Sequence, residues 1–251
     1  MSGALEGKVA LVTGGARRVG AAIVRRLHGA GANVVVHYRS SATEARTLAN
    51  ELCAVRDNSI LLVQGDLLKP PYLANLVDDA VKAFGRLDAL VNNASSFYAT
   101  PLGEIREKDW DDLVGTNLKA PLFLSQAAAR ELRKTHGCIV NIIDIHAEFP
   151  MKSYTVYTVA KAGLLALTRS LARELGPEVR VNGVAPGAIV WPDDENWKDE
   201  LGRQRIINQT ALKRIGEPDD IAKTVEFFVT SAPYVTGQVL AVDGGRSVVI
   251  G

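Results

Sequence analysis

Seven short apolar runs punctuate the chain: KVALVT (8–13), NVVVHY (33–38), SILLVQGD (59–66), LDALVNNAS (87–95), CIVNIID (138–144), VRVNGVAPG (179–187) and QVLAVDGG (238–245). They are rich in β-branched residues and apolar nearly throughout instead of alternating, the pattern of strands covered on both faces. Each gap between them holds a candidate helix, and strand–helix alternation calls for parallel crossovers. The expected fold class is therefore α/β: a single Rossmann-like, doubly wound domain over residues 1–251, with a seven-stranded parallel sheet and helices on both faces. In such a sheet, ligands gather at the C-terminal edge of the strands. One stretch breaks the pattern, the polar WPDDENWKDE (191–200) with Trp191 and Trp197. It marks a substrate loop at about 188–203, either a mobile lid or an ordinary surface excursion with two half-buried tryptophans.

With 251 residues, 47% of them apolar, the chain is long enough for one sizeable core. Its 29 basic and 28 acidic residues leave a net charge of +1 and no basic block, so nucleic acid is not an expected partner and a small molecule is. No apolar run approaches the ~18 residues of a membrane span, and the first residues, MSGALEGKVALVTGG, do not read as a leader; no membrane partner and a cytoplasmic location are expected. Cys53 and Cys138 form no CxxC, and His28, His37, His136 and His146 form no HExxH. Neither a disulfide framework nor a metal site is expected.

Chemistry enters with TGGARRVG (13–20), a turn between strand and helix in which Gly14, Gly15 and Gly20 let the backbone approach a pyrophosphate at a helix N-terminus. Arg17 and Arg18 stand there in place of small residues. The second strand ends in HYRSS (37–41), where an NAD enzyme would present Asp or Glu to a ribose hydroxyl. His37, Arg39, Ser40 and Ser41 suit a 2′-phosphate instead, which makes NADPH the expected cofactor; the alternative is a solvated basic turn. Asp66, Asn92, Asn93 and Ala94 close the third and fourth runs, either serving adenine and the backbone or acting as plain turn residues. Tyr157 and Lys161 lie four apart in a strongly helical segment, so they share a face on which the ammonium would lower the phenol's pKa. Asn117 could tie a proton relay from Lys161 to solvent, or be a tolerated surface residue.

A TGxxx loop, NNA at 92–94, Asn117, Tyr157 with Lys161, PG at 186–187 and VDGG at 242–245 together resemble the short-chain dehydrogenase/reductase family along the whole chain. The resemblance implies that Tyr157 is a general acid, that Lys161 lowers its pKa and binds the nicotinamide ribose, and that Asn117 supports the relay. It further implies a cofactor site of Gly14, Arg18, Val19, His37, Tyr38, Arg39, Ser40, Asp66, Leu67, Asn93, Ala94, Ser95, Tyr157, Lys161, Pro186 and Gly187, and oligomers, commonly homotetramers. Two positions depart from the usual family pattern: Asp144 replaces the serine 13 residues before the tyrosine, and Arg18 replaces the central glycine of TGxxxGxG.

Both departures, with NNASSFYATPL (92–102) and HYRSS, look like the pteridine reductase branch, whose loop reads TGxxxRxG. That branch implies substrate contacts from Arg18, Ser95, Phe97, Asp144 and Tyr157, with a flat pterin stacked between Phe97 and the nicotinamide. Arg17 has no assigned role and is expected to be mostly solvent-exposed. A carbonyl reductase wants a neutral hydroxyl beside the tyrosine, whereas a pterin C=N needs a proton on nitrogen, which a carboxyl can supply. The expected activity is NADPH-dependent reduction of dihydropterins, dihydrobiopterin or dihydromonapterin, with dihydrofolate and fully oxidised pterins as further candidates. A carbonyl or 3-oxoacyl reductase and a catalytically idle NADPH-binding regulator are the alternatives.

Overall fold

A computed structural model describes residues 3–191 and 199–250. All seven apolar runs form strands: β1 (Val9–Val12), β2 (Asn33–Tyr38), β3 (Ile60–Gln64), β4 (Ala89–Asn92), β5 (Cys138–Ile142), β6 (Arg180–Pro186) and β7 (Val239–Val242). Every pairing is parallel, in the order β3-β2-β1-β4-β5-β6-β7. Between them lie α1 (Arg18–Gly29), α2 (Ala42–Cys53), α3 (Pro70–Phe84), α4 (Glu107–Val114), α5 (Ala120–Thr135), α6 (Thr155–Leu175), α7 (Glu200–Asn208) and α8 (Pro218–Thr230), with α9 (Arg246–Ile250) after β7.

Successive side chains of a strand point to opposite faces, and that period divides the core in two. Ala10, Val12, Val34 and Val36 pack under α1 and α8 with Ile23, Leu27, Val225 and Phe228. Val9, Leu11, Val35 and Leu90 pack under α3 and α5 with Leu76, Leu124 and Leu132. Burying each such side chain contributes about 1.5–3 kcal/mol, so both helical layers are held to the sheet by the strands they flank. Because β1 lies between β2 and β4, the chain leaves β1 towards one face and β4 towards the other, which opens a crevice at their C-terminal ends.

Two local features shape that crevice. Between α4 and α5 the helix widens into a π-helical turn, Gly115–Lys119, which carries Asn117; such turns recur at functional sites. Arg18, the first residue of α1, has a left-handed φ of +52°, a conformation that costs a residue with a Cβ about 1 kcal/mol and glycine almost nothing. This explains why glycine is the usual occupant of that position.

The segment at 188–203 is less of a loop than expected. Glu200 to Arg203 belong to α7, whose start is capped by the Asp199 carboxylate accepting from the amides of Leu201 (3.1 Å) and Gly202 (3.0 Å). Residues 192–198, including Trp197, lie outside the described residues. The Arg18 backbone generates a direct test: Arg18→Gly should unfold about 1 kcal/mol harder than Arg18→Ala, since only alanine keeps the strained Cβ. Equal denaturant midpoints for the two variants would show that the turn carries no such strain.

Candidate active site

The end of β1 is tied to the end of β4 by side chains. Asn93 donates from Nδ2 to the carbonyls of Thr13 (2.9 Å) and Gly14 (3.1 Å), while the Thr13 hydroxyl accepts from the amides of Asn93 (2.9 Å) and Ala94 (3.0 Å). The turn that follows admits no bulk: a Cβ at Gly20 would sit 2.2 Å from the Gly14 carbonyl oxygen. The first turn of α1 has neither a side-chain cap nor an acidic residue, so its amides stay available to an anion.

Around this turn runs a cleft of 460 Å³, lined by the residues that the family resemblance implies: Gly14, Arg18 and Val19 after β1, Tyr38, Arg39 and Ser40 after β2, Asp66 and Leu67 after β3, and Asn93, Ala94 and Ser95 after β4, with His37, Tyr157, Lys161, Pro186 and Gly187. Gly15 and Asn92 do not line it, and Asn92 is instead buried against Ser125 and Asn141. Arg39 and Ser40 are exposed, and Arg39 makes no ion pair among the described residues. Arg17 is exposed as expected and lies 3.6 Å from Glu44 on α2. Asp66 also works locally, its Oδ1 accepting from the Leu68 amide at 3.0 Å.

The expectation for His37 is corrected. Its ring is buried, with Nδ1 accepting from the Gly14 amide at 3.3 Å and Nε2 facing the Gly65 carbonyl at 3.1 Å. Burial drives its pKa down to about 4, so the ring is neutral and cannot offer a phosphate a charge. It braces the glycine turn from below.

Tyr157 and Lys161 project from α6, and both are almost wholly buried. The Tyr157 hydroxyl donates to Asp144 Oδ2 at 2.8 Å, while Asp144 Oδ1 accepts from the His146 amide at 2.8 Å. Lys161 Nζ donates to the Ile142 carbonyl at 2.9 Å and lies 5.6 Å from the centre of the Tyr157 ring. The direction of the Tyr157 shift is the reverse of the expected one: burial, then the Asp144 carboxylate, push the phenol well above its ordinary value. Burial pulls Lys161 down to about 8. Asn117 spends its amide on the carbonyls of Ser96 and Leu113, both at 2.9 Å, and its Oδ1 accepts from the Ser95 hydroxyl at 2.6 Å. It is therefore a buried anchor for the strand that leads to Phe97.

Beyond Tyr157 opens a smaller cavity of 180 Å³, walled by Phe97, Asp144, His146, Trp191 and Arg246 among others. Phe97 is half-buried, stacked on Tyr154 at 4.7 Å and meeting the Tyr157 ring edge-on at 4.9 Å. Arg18 and Ser95 face the larger cleft, with an Arg18 guanidinium bond to the Trp191 carbonyl joining the two spaces. His146 and Arg246 were not singled out from the sequence. Nothing in their local spacing marks them, because the cavity is closed by segments far apart in the chain.

Residues 14–247 match a family model described as Enoyl-(Acyl carrier protein) reductase. Pteridine reductase 1 of Leishmania tarentolae is 39% identical over 279 aligned positions, spanning 95% of this chain and 96% of that protein. The 3-oxoacyl-[acyl-carrier-protein] reductases FabG of Staphylococcus epidermidis and Staphylococcus aureus are each 36% identical over 241 positions, spanning 95% of this chain and 98% and 97% of theirs. Overall likeness does not choose between these substrates, because one scaffold hosts many. It does fix the family: the chain belongs to the short-chain dehydrogenase/reductases and is a nicotinamide-dependent oxidoreductase.

Proposed function

We propose that this protein is an NADPH-dependent pteridine reductase acting on dihydropterins such as dihydrobiopterin or dihydromonapterin. The observation that carries the reading is the Asp144 carboxylate, 2.8 Å from the Tyr157 hydroxyl, at the position where carbonyl reductases of the family carry a neutral hydroxyl. Phe97 lines the same cavity, and an aromatic ring there suits a planar heterocycle. The 36% identity to 3-oxoacyl reductases supports the second reading, a 3-oxoacyl or other carbonyl reductase.

The cleft fits a dinucleotide. Uncapped amides at α1, a glycine turn closed to side chains, and the exposed Arg39 and Ser40 where no carboxylate ends β2 all suit NADPH. Bound NADPH supplies the hydride to the ring carbon of a C=N bond. The ring nitrogen then becomes strongly basic and needs one proton. Burial, then the Asp144 carboxylate, make Tyr157 hold its proton tightly, so the phenol stays neutral until a strong base faces it. Lys161 adds a positive charge behind the ring and steadies the phenolate left after transfer.

Three outcomes follow from this chemistry. NADPH should bind far more tightly than NADH, and Arg39→Ala should erode the preference about tenfold or more in a titration of both cofactors; equal wild-type affinities would sink the NADPH assignment. Asp144→Asn removes a charge that raises the Tyr157 pKa, so the phenolate should appear at lower pH in an absorbance titration read against Tyr157→Phe. A midpoint that stayed put or rose would mean that Asp144 does not set this proton's affinity. Finally, NADPH oxidation should be supported by dihydropterins and not by an acetoacetyl thioester, with Asp144→Ser lowering pterin turnover roughly 10- to 1000-fold. Full pterin activity in Asp144→Ser, or faster turnover of the thioester by the wild type, would favour the carbonyl reductase reading.

A further inference from the structure

Arg246 enters the 180 Å³ cavity from the wall formed by the chain after β7. Its backbone is held rigidly there. Gly244 and Gly245 turn the chain with φ of +64° and +78°, and the Asp243 carboxylate accepts from the amides of Gly245 (2.9 Å) and Ser247 (2.7 Å). Those two bonds hold the Asp243 carboxylate on the backbone of the turn. The guanidinium touches Gln209 Oε1 through Nη2 at 3.4 Å, while its Nε is buried without a hydrogen-bond partner.

A buried guanidinium N–H with no acceptor is costly, and arginine cannot shed its charge to escape that cost. An arginine serving only to join α9 to α7 would turn Nε towards water or a carboxylate. Here burial weakens the hold on its proton, with the Asp144 and Asp243 carboxylates opposing that effect. The cavity thus has the Arg246 guanidinium in a wall that it shares with the Tyr157–Asp144 pair and Phe97.

We propose that Arg246 is a substrate-recognition residue whose guanidinium donates to an acceptor oxygen of the substrate. The proposal rests on the pteridine reductase reading, under which two oxygens qualify: the ring carbonyl of the pterin and the hydroxyls of its side chain. Either gives a charge-assisted bond that fixes the ring's orientation as it stacks on Phe97. It also makes the cavity selective, since a substrate without that oxygen leaves the guanidinium unsatisfied.

The test compares wild type, Arg246→Met and Arg246→Lys on dihydrobiopterin and on 6,7-dimethyl-7,8-dihydropterin, which lacks side-chain hydroxyls. Arg246→Met should raise the pterin KM roughly tenfold to a hundredfold with a smaller change in kcat, an unaltered NADPH KM and an unaltered unfolding midpoint. Arg246→Lys should recover part of the loss. Equal losses on both substrates assign the ring carbonyl, and a loss confined to dihydrobiopterin assigns the hydroxyls. An unchanged KM on both, or an equal rise in the NADPH KM, overturns the proposal. Should Arg246→Met fail to fold, Arg246→Leu, which also removes every donor, carries the same comparison. A wild-type protein idle on both dihydropterins would sink the pteridine reading itself. Arg246 would then be judged with the same variants on an acetoacetyl thioester, where a raised KM sustains its role in substrate recognition and an unchanged KM overturns it.

Discussion

Asn93 joins two strands whose chains part company. After β1 the chain runs to the layer of α1, after β4 to the layer of α5, and the crevice between them would widen or close freely without a tie. The amide of Asn93 and the hydroxyl of Thr13, which also donates to the Val91 carbonyl, make five bonds across that gap. Each contributes only about 1 kcal/mol, yet losing one strands a partly buried partner, so the set acts as a unit. The height of the glycine turn is thereby set by the end of β4. The same segment runs on to Ser95 and Phe97, so the cofactor side and the substrate side of the site share one mechanical reference.

Beneath the site lies a second polar structure. Asn92 donates to Asn141 Oδ1 at 2.8 Å and Asn141 donates to the Thr168 hydroxyl at 2.9 Å, linking β4, β5 and α6 through the core. Fully satisfied, such a chain fixes the register of its elements in a way that interchangeable aliphatic contacts do not. It holds the Asp144 end of β5 against the Tyr157 end of α6. The 2.8 Å contact between those two residues is consequently a property of the core as much as of the site.

The sheet was legible because its central strands are buried on both faces and therefore read as unbroken apolar runs, as at Val34–Val36 and Ile139–Val140. The cleft was legible because parallel strands deliver their ends to one edge, which placed Gly14, Arg39, Asp66 and Asn93 together without knowledge of any contact, while Ser95 and Pro186 came from the family resemblance. Desolvation was not legible. Spacing put Lys161 beside Tyr157 but could not weigh burial and Asp144 against the ammonium, and those won. Nor could it tell that His37 faces inward, that the Arg18 backbone is left-handed, or that Arg246 closes a cavity begun at Phe97. The Asp199 cap was written in the chain, an Asp before a helical segment, and was masked by the polarity of its neighbours.

The buried ring of His37 has a thermodynamic side. A histidine in the unfolded chain binds a proton near pH 6.5, whereas this one refuses it until about pH 4. Between those limits the unfolded state holds more protons than the folded one, so acidification favours unfolding, by up to roughly 1.4 kcal/mol for each pH unit. Above pH 6.5 the brace is indifferent to pH. The glycine turn after β1 is thus coupled to the acid limit of the whole fold through one imidazole, and a charge placed on that ring would loosen the Gly14 turn.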